Sequence, residues 1–222
     1  ALMADIAPDT PPAPTSNEGW NPRLNPTQKT IFNDPAPFVL AYGEKGSGKT
    51  IGLLYKLVRH CYENQNALAL IVSPSIRTGK EGVLFDLENL VLPDWEKGIG
   101  LQYTIARLDP NTKDRHLWIA NCHGSWSKVL LVSIPFAEAV EPRVKALAPS
   151  IVYVDELTEC KGRSYFTFIA AQLGRRRDID GPQQYTASCN PEGPSHWVYK
   201  VFLEEPLDGE TGKHDQDFSV HH

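Results

Sequence analysis

The chain has 222 residues, enough for one α/β domain with short appended segments, and its 41% hydrophobic content supplies a sizeable core. A formal net charge of −5 argues against a free-standing DNA-binding domain, so any contact with DNA is expected through a small local patch. No apolar run approaches ~20 residues and no basic-then-apolar segment opens the chain, so neither a helical membrane span nor a secretory signal is expected.

Cys61, Cys122, Cys160 and Cys189 are far apart and form no C-x-x-C pair. That spacing predicts reduced thiols in a cytosolic setting and no zinc cluster. Residues 1–19 carry Pro8, Pro11, Pro12 and Pro14 among polar residues and are expected to be a disordered arm. Order is expected from about Trp20. Asn25 can cap a short helix with Pro26 at its first position. Gln28 in that helix could read adenine with its amide donor and acceptor; the plain alternative is a solvated helix glutamine.

Phe38-Val39-Leu40-Ala41-Tyr42 is a short apolar run between Pro37 and Gly43, as in a buried strand. Gly43-Glu44-Lys45-Gly46-Ser47-Gly48-Lys49-Thr50 follows, matching the G-x-x-x-x-G-K-T phosphate loop. Glycines let backbone N–H groups crowd a phosphate, and the positive end of the next helix faces the same anion. Lys49 can reach the outer phosphates of ATP, and Thr50 can hold Mg²⁺. Ile51, Leu54, Leu57, Val58 and Cys61 recur at helical spacing behind the loop.

Ala67–Val72 reads as a second buried strand and about 76–91 as a helix. Two alternating runs, 101–105 and 116–120, flank turn residues at 109–112 and predict a β-hairpin. Residues 128–134 form a further strand, and about 136–147 a polar helix carrying Arg143 and Lys145.

Ile151-Val152-Tyr153-Val154-Asp155-Glu156 is an apolar strand that delivers two carboxylates at its C-terminal tip. In an open α/β sheet, ligands bind beyond that end of the strands. Asp155 is expected to bind Mg²⁺ and Glu156 to orient or deprotonate the attacking water. With the strand at 128–134 between loop and carboxylates, the pattern predicts a P-loop NTPase of the RecA-like branch, marked by an additional strand and a catalytic Glu. Its central, mostly parallel sheet would be flanked by helices, with the hairpin inserted. A helix over 163–173 is expected to lead into Arg175-Arg176-Arg177. Gln184–Cys189 forms another strand, whose Thr186, Ser188 and nearby Asn190 could sense the outer phosphate. From 204 onward the chain reads as an acidic linker.

Taken together these segments resemble the large terminase subunits of tailed bacteriophages, over roughly residues 24–205. The resemblance rests on the Gln28 segment, G-E-K-G-S-G-K-T, V-Y-V-D-E and, most specifically, T-A-S-C-N-P-E-G-P-S-H-W-V-Y-K. It implies an ATP- and Mg²⁺-dependent motor that drives double-stranded viral DNA through a portal protein into a procapsid in the host cytoplasm. It also implies work with a small terminase subunit, as a ring of about five copies, each monomeric in isolation. Such subunits carry a second, nuclease domain. The stretch after Phe202 is too short for one, so 206–222 is expected to begin the linker toward it and 20–205 to be the ATPase domain. Lys45 stands where many relatives have arginine; it keeps the charge but loses the bidentate phosphate contact.

The resembled family places a subunit-bridging arginine in the stretch holding Arg143, which makes Arg143 the candidate for a trans-acting catalytic residue. Arg163 and Arg175–Arg177 are the other candidates. A helicase-like DNA-dependent ATPase and a non-hydrolysing nucleotide-gated module are the alternative functions. Lys49, Thr50, Asp155 and Glu156 together argue against the second.

Overall fold

The computed structural model describes residues 20–74, 79–105, 115–133, 147–160, 162–173, 175, 181–204 and 217–222. The expected arm at 1–19, the hairpin turn at 109–112, all but the last residue of the helix at 136–147 (Arg143 included), Arg176–Arg177 and most of the linker lie outside these residues.

The strands are β1 (Phe38–Tyr42), β2 (Leu68–Ser73), β3 (Tyr103–Ile105), β4 (Arg115–Ala120), β5 (Trp126–Ser133), β6 (Ile151–Val154), β7 (Gln184–Cys189) and β8 (Phe218–His221). They form one eight-stranded sheet in the order β3-β4-β5-β2-β6-β7-β1-β8. From β5 to β8 all neighbours are parallel, while β4 runs antiparallel to both β3 and β5. The expected hairpin is therefore the sheet's antiparallel edge, and the fold is of the RecA-like P-loop type.

Two expectations need correction. The strand at 128–134 is not the additional one: as β5 it lies beyond β2. The strand that separates β1 from β6 is β7, which comes later in the chain. Sequence order does not report sheet order among parallel strands, whose connections cross over. The acidic tail is not linker throughout, because it ends in β8 beside β1. Phe218 stacks on Phe38 with ring centroids 4.7 Å apart, and His221 Nε2 lies 2.6 Å from Asp34 Oδ2. Four residues pair too briefly to show as a strand pattern.

Helix α1 (Pro26–Asn33) starts at a capping box: Asn25 accepts from Gln28 N–H, and the Gln28 side chain accepts from Asn25 N–H. Helix α2 (Lys49–Glu63) follows the phosphate loop. Residues 79–99 form one helical stretch, α3, in which Gly79–Leu84 and Leu87–Val91 are π-helical and Leu92–Ile99 is α-helical. It runs past the expected end at 91 and stops at Gly100, in the left-handed region with φ 69°. Helix α4 covers Arg163–Ala170, and a short α5 (Trp197–Tyr199) continues as a π-turn over Lys200–Glu204.

The central strands are apolar at successive positions because both faces are covered. Val39, Ala41, Ile71, Ile151 and Tyr153 face the layer of α1, α2 and α3. Leu40, Val72, Val152 and Val154 face α4 and α5. Trp95 of α3 is buried between Trp20 and Tyr62, at centroid distances of 4.6 Å and 5.8 Å. A 2.6 Å hydrogen bond from the Tyr55 hydroxyl to Asp94 ties α2 to α3.

Candidate nucleotide-binding site

Parallel strands β1, β6 and β7 end at the same sheet edge, so the segments that follow them meet there. Residues 43–48 follow β1, Asp155 and Glu156 follow β6, and Asn190 follows β7. They enclose a cleft of ≈ 370 Å³. Lys49, Thr50, Asp155, Glu156, Ser188 and Asn190 all line it, as does the loop through Lys45, Gly46 and Gly48. Gly43, Glu44 and Ser47 shape the loop from behind. The Gly43 N–H donates to Cys189 O at 3.3 Å, and Ser47 N–H to Glu44 O at 3.3 Å.

Gly46 and Gly48 have φ of 86° and 83°, a region closed to most side chains. A Cβ on Gly48 would also stand 2.5 Å from Gln28 Nε2. The loop therefore needs glycine at both points to turn its N–H groups inward. The Lys49 ammonium spends all three donors on the loop: Gly43 O at 2.6 Å, Glu44 O at 2.7 Å and Ser47 Oγ at 3.3 Å. Burial lowers its pKa, against the carboxylates of Glu156 and Asp155 and the Cys189 thiol, which raise it.

Glu156 adopts φ 48°, ψ 57°, a left-handed conformation uncommon for glutamate. This twist turns its side chain toward the cleft, where Asn190 Nδ2 donates to Oε1 at 3.1 Å and to Oε2 at 3.0 Å. Burial and the neighbouring charges of Asp155 and Glu159 push the Glu156 pKa up, while Lys49 and Asn190 pull it down. A raised carboxylate pKa suits a group that must take a proton. Asp155 is also pushed up, first by burial, against hydrogen bonds from Tyr153 and Ser188.

The donor set fits a nucleotide with Mg²⁺. The glycine-built loop, the Lys49 ammonium, the Thr50 hydroxyl and the Asp155 carboxylate come together around the cleft. Among the described residues no group of three or more His, Cys, Asp or Glu side chains is placed to hold a metal. Mg²⁺ bound by one or two protein groups, phosphates and waters needs no such group.

Three expected site residues behave differently. Thr186 lies one pleat behind Ser188, fully buried, and its hydroxyl donates to Val152 O at 2.8 Å; it fastens β7 to β6 and does not reach the cleft. Gln28 does reach the loop, donating from Nε2 to Gly48 O at 3.3 Å, while its Oε1 accepts from Asn25 N–H at 3.0 Å. Each amide atom spends one bond on backbone, which holds Gln28 against the loop and leaves one N–H and one lone pair for a base. Arg143 lies outside the described residues. Of the other arginine candidates, Arg163 is exposed, and Arg175 donates to Gln172 at 2.8 Å.

The sequence did not reveal Gly82, Val83 and Asp86 of α3, which close the far side of the cleft. Asp86 sits between the two π-helical segments, and burial raises its pKa. π-Turns concentrate at functional sites but leave no pattern in a sequence. The S-H-W stretch proves to be a fastener. His196 caps α5, accepting from Val198 N–H at 3.3 Å, and Trp197 Nε1 donates to Cys160 O at 2.8 Å. That bond joins the segment after Asn190 to the segment after Glu156.

No family model and no curated protein matches the sequence. Solved structures do match. The large terminase of a thermophilic bacteriophage, in complex with ADP, superposes with TM-score 0.62 at 17% identity, over 89% of this chain and 45% of that one. The large terminase ATPase domain of Thermus phage P74-26 gives 0.59 at 15%, over 93% of this chain and 82% of that one. The N-terminal domain of the bacteriophage phi29 DNA packaging ATPase gives 0.52 at 13%, over 89% and 94%. This chain spans less than half the length of the thermophilic-phage terminase. Its structural neighbours are large terminases and phage DNA-packaging ATPases, and the chain has the fold of their ATPase domains.

Proposed function

We propose that residues 20–205 form the ATPase domain of a DNA-packaging motor, which couples ATP hydrolysis to movement of double-stranded viral DNA into a procapsid. The observation that carries this reading is the meeting of Lys49, Thr50, Asp155 and Glu156 in one cleft of a terminase-like fold. The ADP and ATP-γ-S complexes of the thermophilic-phage terminase support nucleotide as the ligand. Mg²⁺ bound at Thr50 and Asp155 would supply charge neutralisation at the transferring phosphate. Lys49 neutralises the outer phosphates, Glu156 takes the proton of the attacking water, and Asn190 holds Glu156 in place. Lys45 adds positive charge at the open side of the loop.

Portal protein, small terminase subunit and a ring of about five copies complete the reading, at work in the host cytoplasm. The isolated chain would be a monomer and a slow ATPase, because Arg143 of a neighbour completes each site; such a group is worth ~10³–10⁵ in rate in other phosphoryl-transfer enzymes. The test mixes Arg143→Ala with Glu156→Gln subunits under conditions where rings form. Each variant alone stays at or below the slow monomer rate, and the mixture recovers hydrolysis because a Glu156-intact subunit borrows Arg143 from its neighbour. A mixture that recovers nothing, in rings shown to be assembled, removes Arg143 from the site.

A further inference from the structure

A fully buried tyrosine sits directly behind the residues assigned to the cation. Tyr153 and Asp155 are two apart at the end of β6, so both point to the face covered by α2. Tyr153 is 0% exposed, yet its hydroxyl is not wasted. It donates to Asp155 Oδ1 at 3.0 Å and lies 3.0 Å from Ser188 Oγ, which itself donates to Asp155 Oδ1 at 3.2 Å. One hydroxyl thus touches side chains from the end of β6 and from β7.

Pairing is not automatic in this core. Tyr185 on β7 is equally buried, on the opposite face, and its hydroxyl has no hydrogen-bond partner among the described residues. The position of the Tyr153 hydroxyl therefore carries information. A carboxylate that must meet a cation in one geometry needs its rotation fixed by other donors. Tyr153 and Ser188 both send their protons to Asp155 Oδ1. Two donors on one carboxylate oxygen fix the rotation of the Asp155 carboxylate and leave Oδ2 free of both.

We propose that Tyr153 is a positioning residue for the cation of the nucleotide site: its phenol, together with Ser188, holds the Asp155 carboxylate so that it is set before magnesium arrives. The inference rests on the nucleotide-site reading above and adds a residue that no phosphate-loop motif contains. It also makes Ser188 part of the same device, because Ser188 supplies the second hydrogen bond to the same carboxylate oxygen.

The experiment measures binding of a fluorescent ADP across a series of Mg²⁺ concentrations and in excess EDTA, with no turnover required. Tyr153→Phe keeps the ring and removes the hydroxyl. Its Mg²⁺ half-saturation rises roughly 5–10-fold, the usual effect of one lost hydrogen bond, while ADP affinity in EDTA equals that of the parent. A merely structural role would lower both affinities together. Ser188→Ala, at the cleft edge and less disruptive to folding, shifts the Mg²⁺ curve in the same direction by a smaller factor, and the double variant shifts less than the product of the two. Mg²⁺ curves of both single variants that overlay a Mg²⁺-responsive parent overturn this inference and leave the nucleotide site standing. A parent that shows no Mg²⁺-dependent ADP binding overturns both.

Discussion

His60 offers a sharp test of how the site is anchored. It lies on the phosphate-loop helix α2, buried, with Nε2 2.8 Å from Ser150 Oγ, directly before β6. This contact fixes the rear of the helix bearing Lys49 and Thr50 to the strand that leads into Asp155. Burial lowers the His60 pKa from 6.5 to about 4, and the nearby cations Lys56 and Arg59 push the same way. The unfolded chain therefore takes up a proton that the folded protein refuses. Stability is full above the unfolded value and falls as pH drops from 6.5 toward 4, with the slope of one proton. At 1.36 kcal/mol per pKa unit the total loss is on the order of 3 kcal/mol, a large share of a typical domain's stability. His60→Gln keeps a hydrogen-bonding group for Ser150 and cannot titrate. Urea unfolding at half-unit steps from pH 7.5 to 4 should show a falling curve for the parent and a flatter one for the variant. Converging curves, with the variant gaining on the parent as pH falls, are the expected result. Parallel curves refute the reasoning, because His60 would then titrate alike in both states.

Further expectations concern the loop and its ligands. Gln28→Ala removes the hydrogen bond to Gly48 O and half of the capping box, costing ~1–2 kcal/mol in chemical denaturation. It should weaken ATP and GTP binding alike, and a narrowed ATP/GTP affinity ratio would instead restore Gln28 as the adenine reader. Gly48→Ala, at φ 83° and against Gln28, should lower nucleotide affinity at least ~10-fold by titration calorimetry, and an unchanged affinity would contradict the tight cradle. With net charge −5, duplex DNA binding should be weak and should fade steeply between low and physiological salt in an anisotropy titration; tight binding at physiological salt would reveal a concentrated basic patch.

The chemistry was more legible in the sequence than the geometry. Glycine spacing, the apolar run before Asp155-Glu156 and the helical periodicity after Thr50 each reflect local rules, and the structure brings them together at one sheet edge. Misreadings arose where the decisive contact is remote. β7 enters between β1 and β6 from the far end of the chain, and β8 pairs across about 180 residues. Neither register leaves a local pattern. Thr186 and Ser188 share a strand face, so composition alone could not separate the buried fastener from the residue in the cleft. Two residues apart at a strand end, Tyr153 and Asp155 share a face by alternation, while the meeting of hydroxyl and carboxylate depends on the side-chain rotamers that packing sets. Asp86 enters the site through an irregular helix, which no periodicity announces.

The central claim is that this cleft hydrolyses ATP with Glu156 as the base. Single-turnover phosphate release, with protein in excess over Mg²⁺-ATP, tests it most directly when paired with a binding titration. Glu156→Gln is expected to bind ATP as the parent does and to release phosphate at least ~100-fold more slowly, whereas Lys49→Ala fails to bind. Parental release by Glu156→Gln, or no release by assembled parental rings, would contradict the claim.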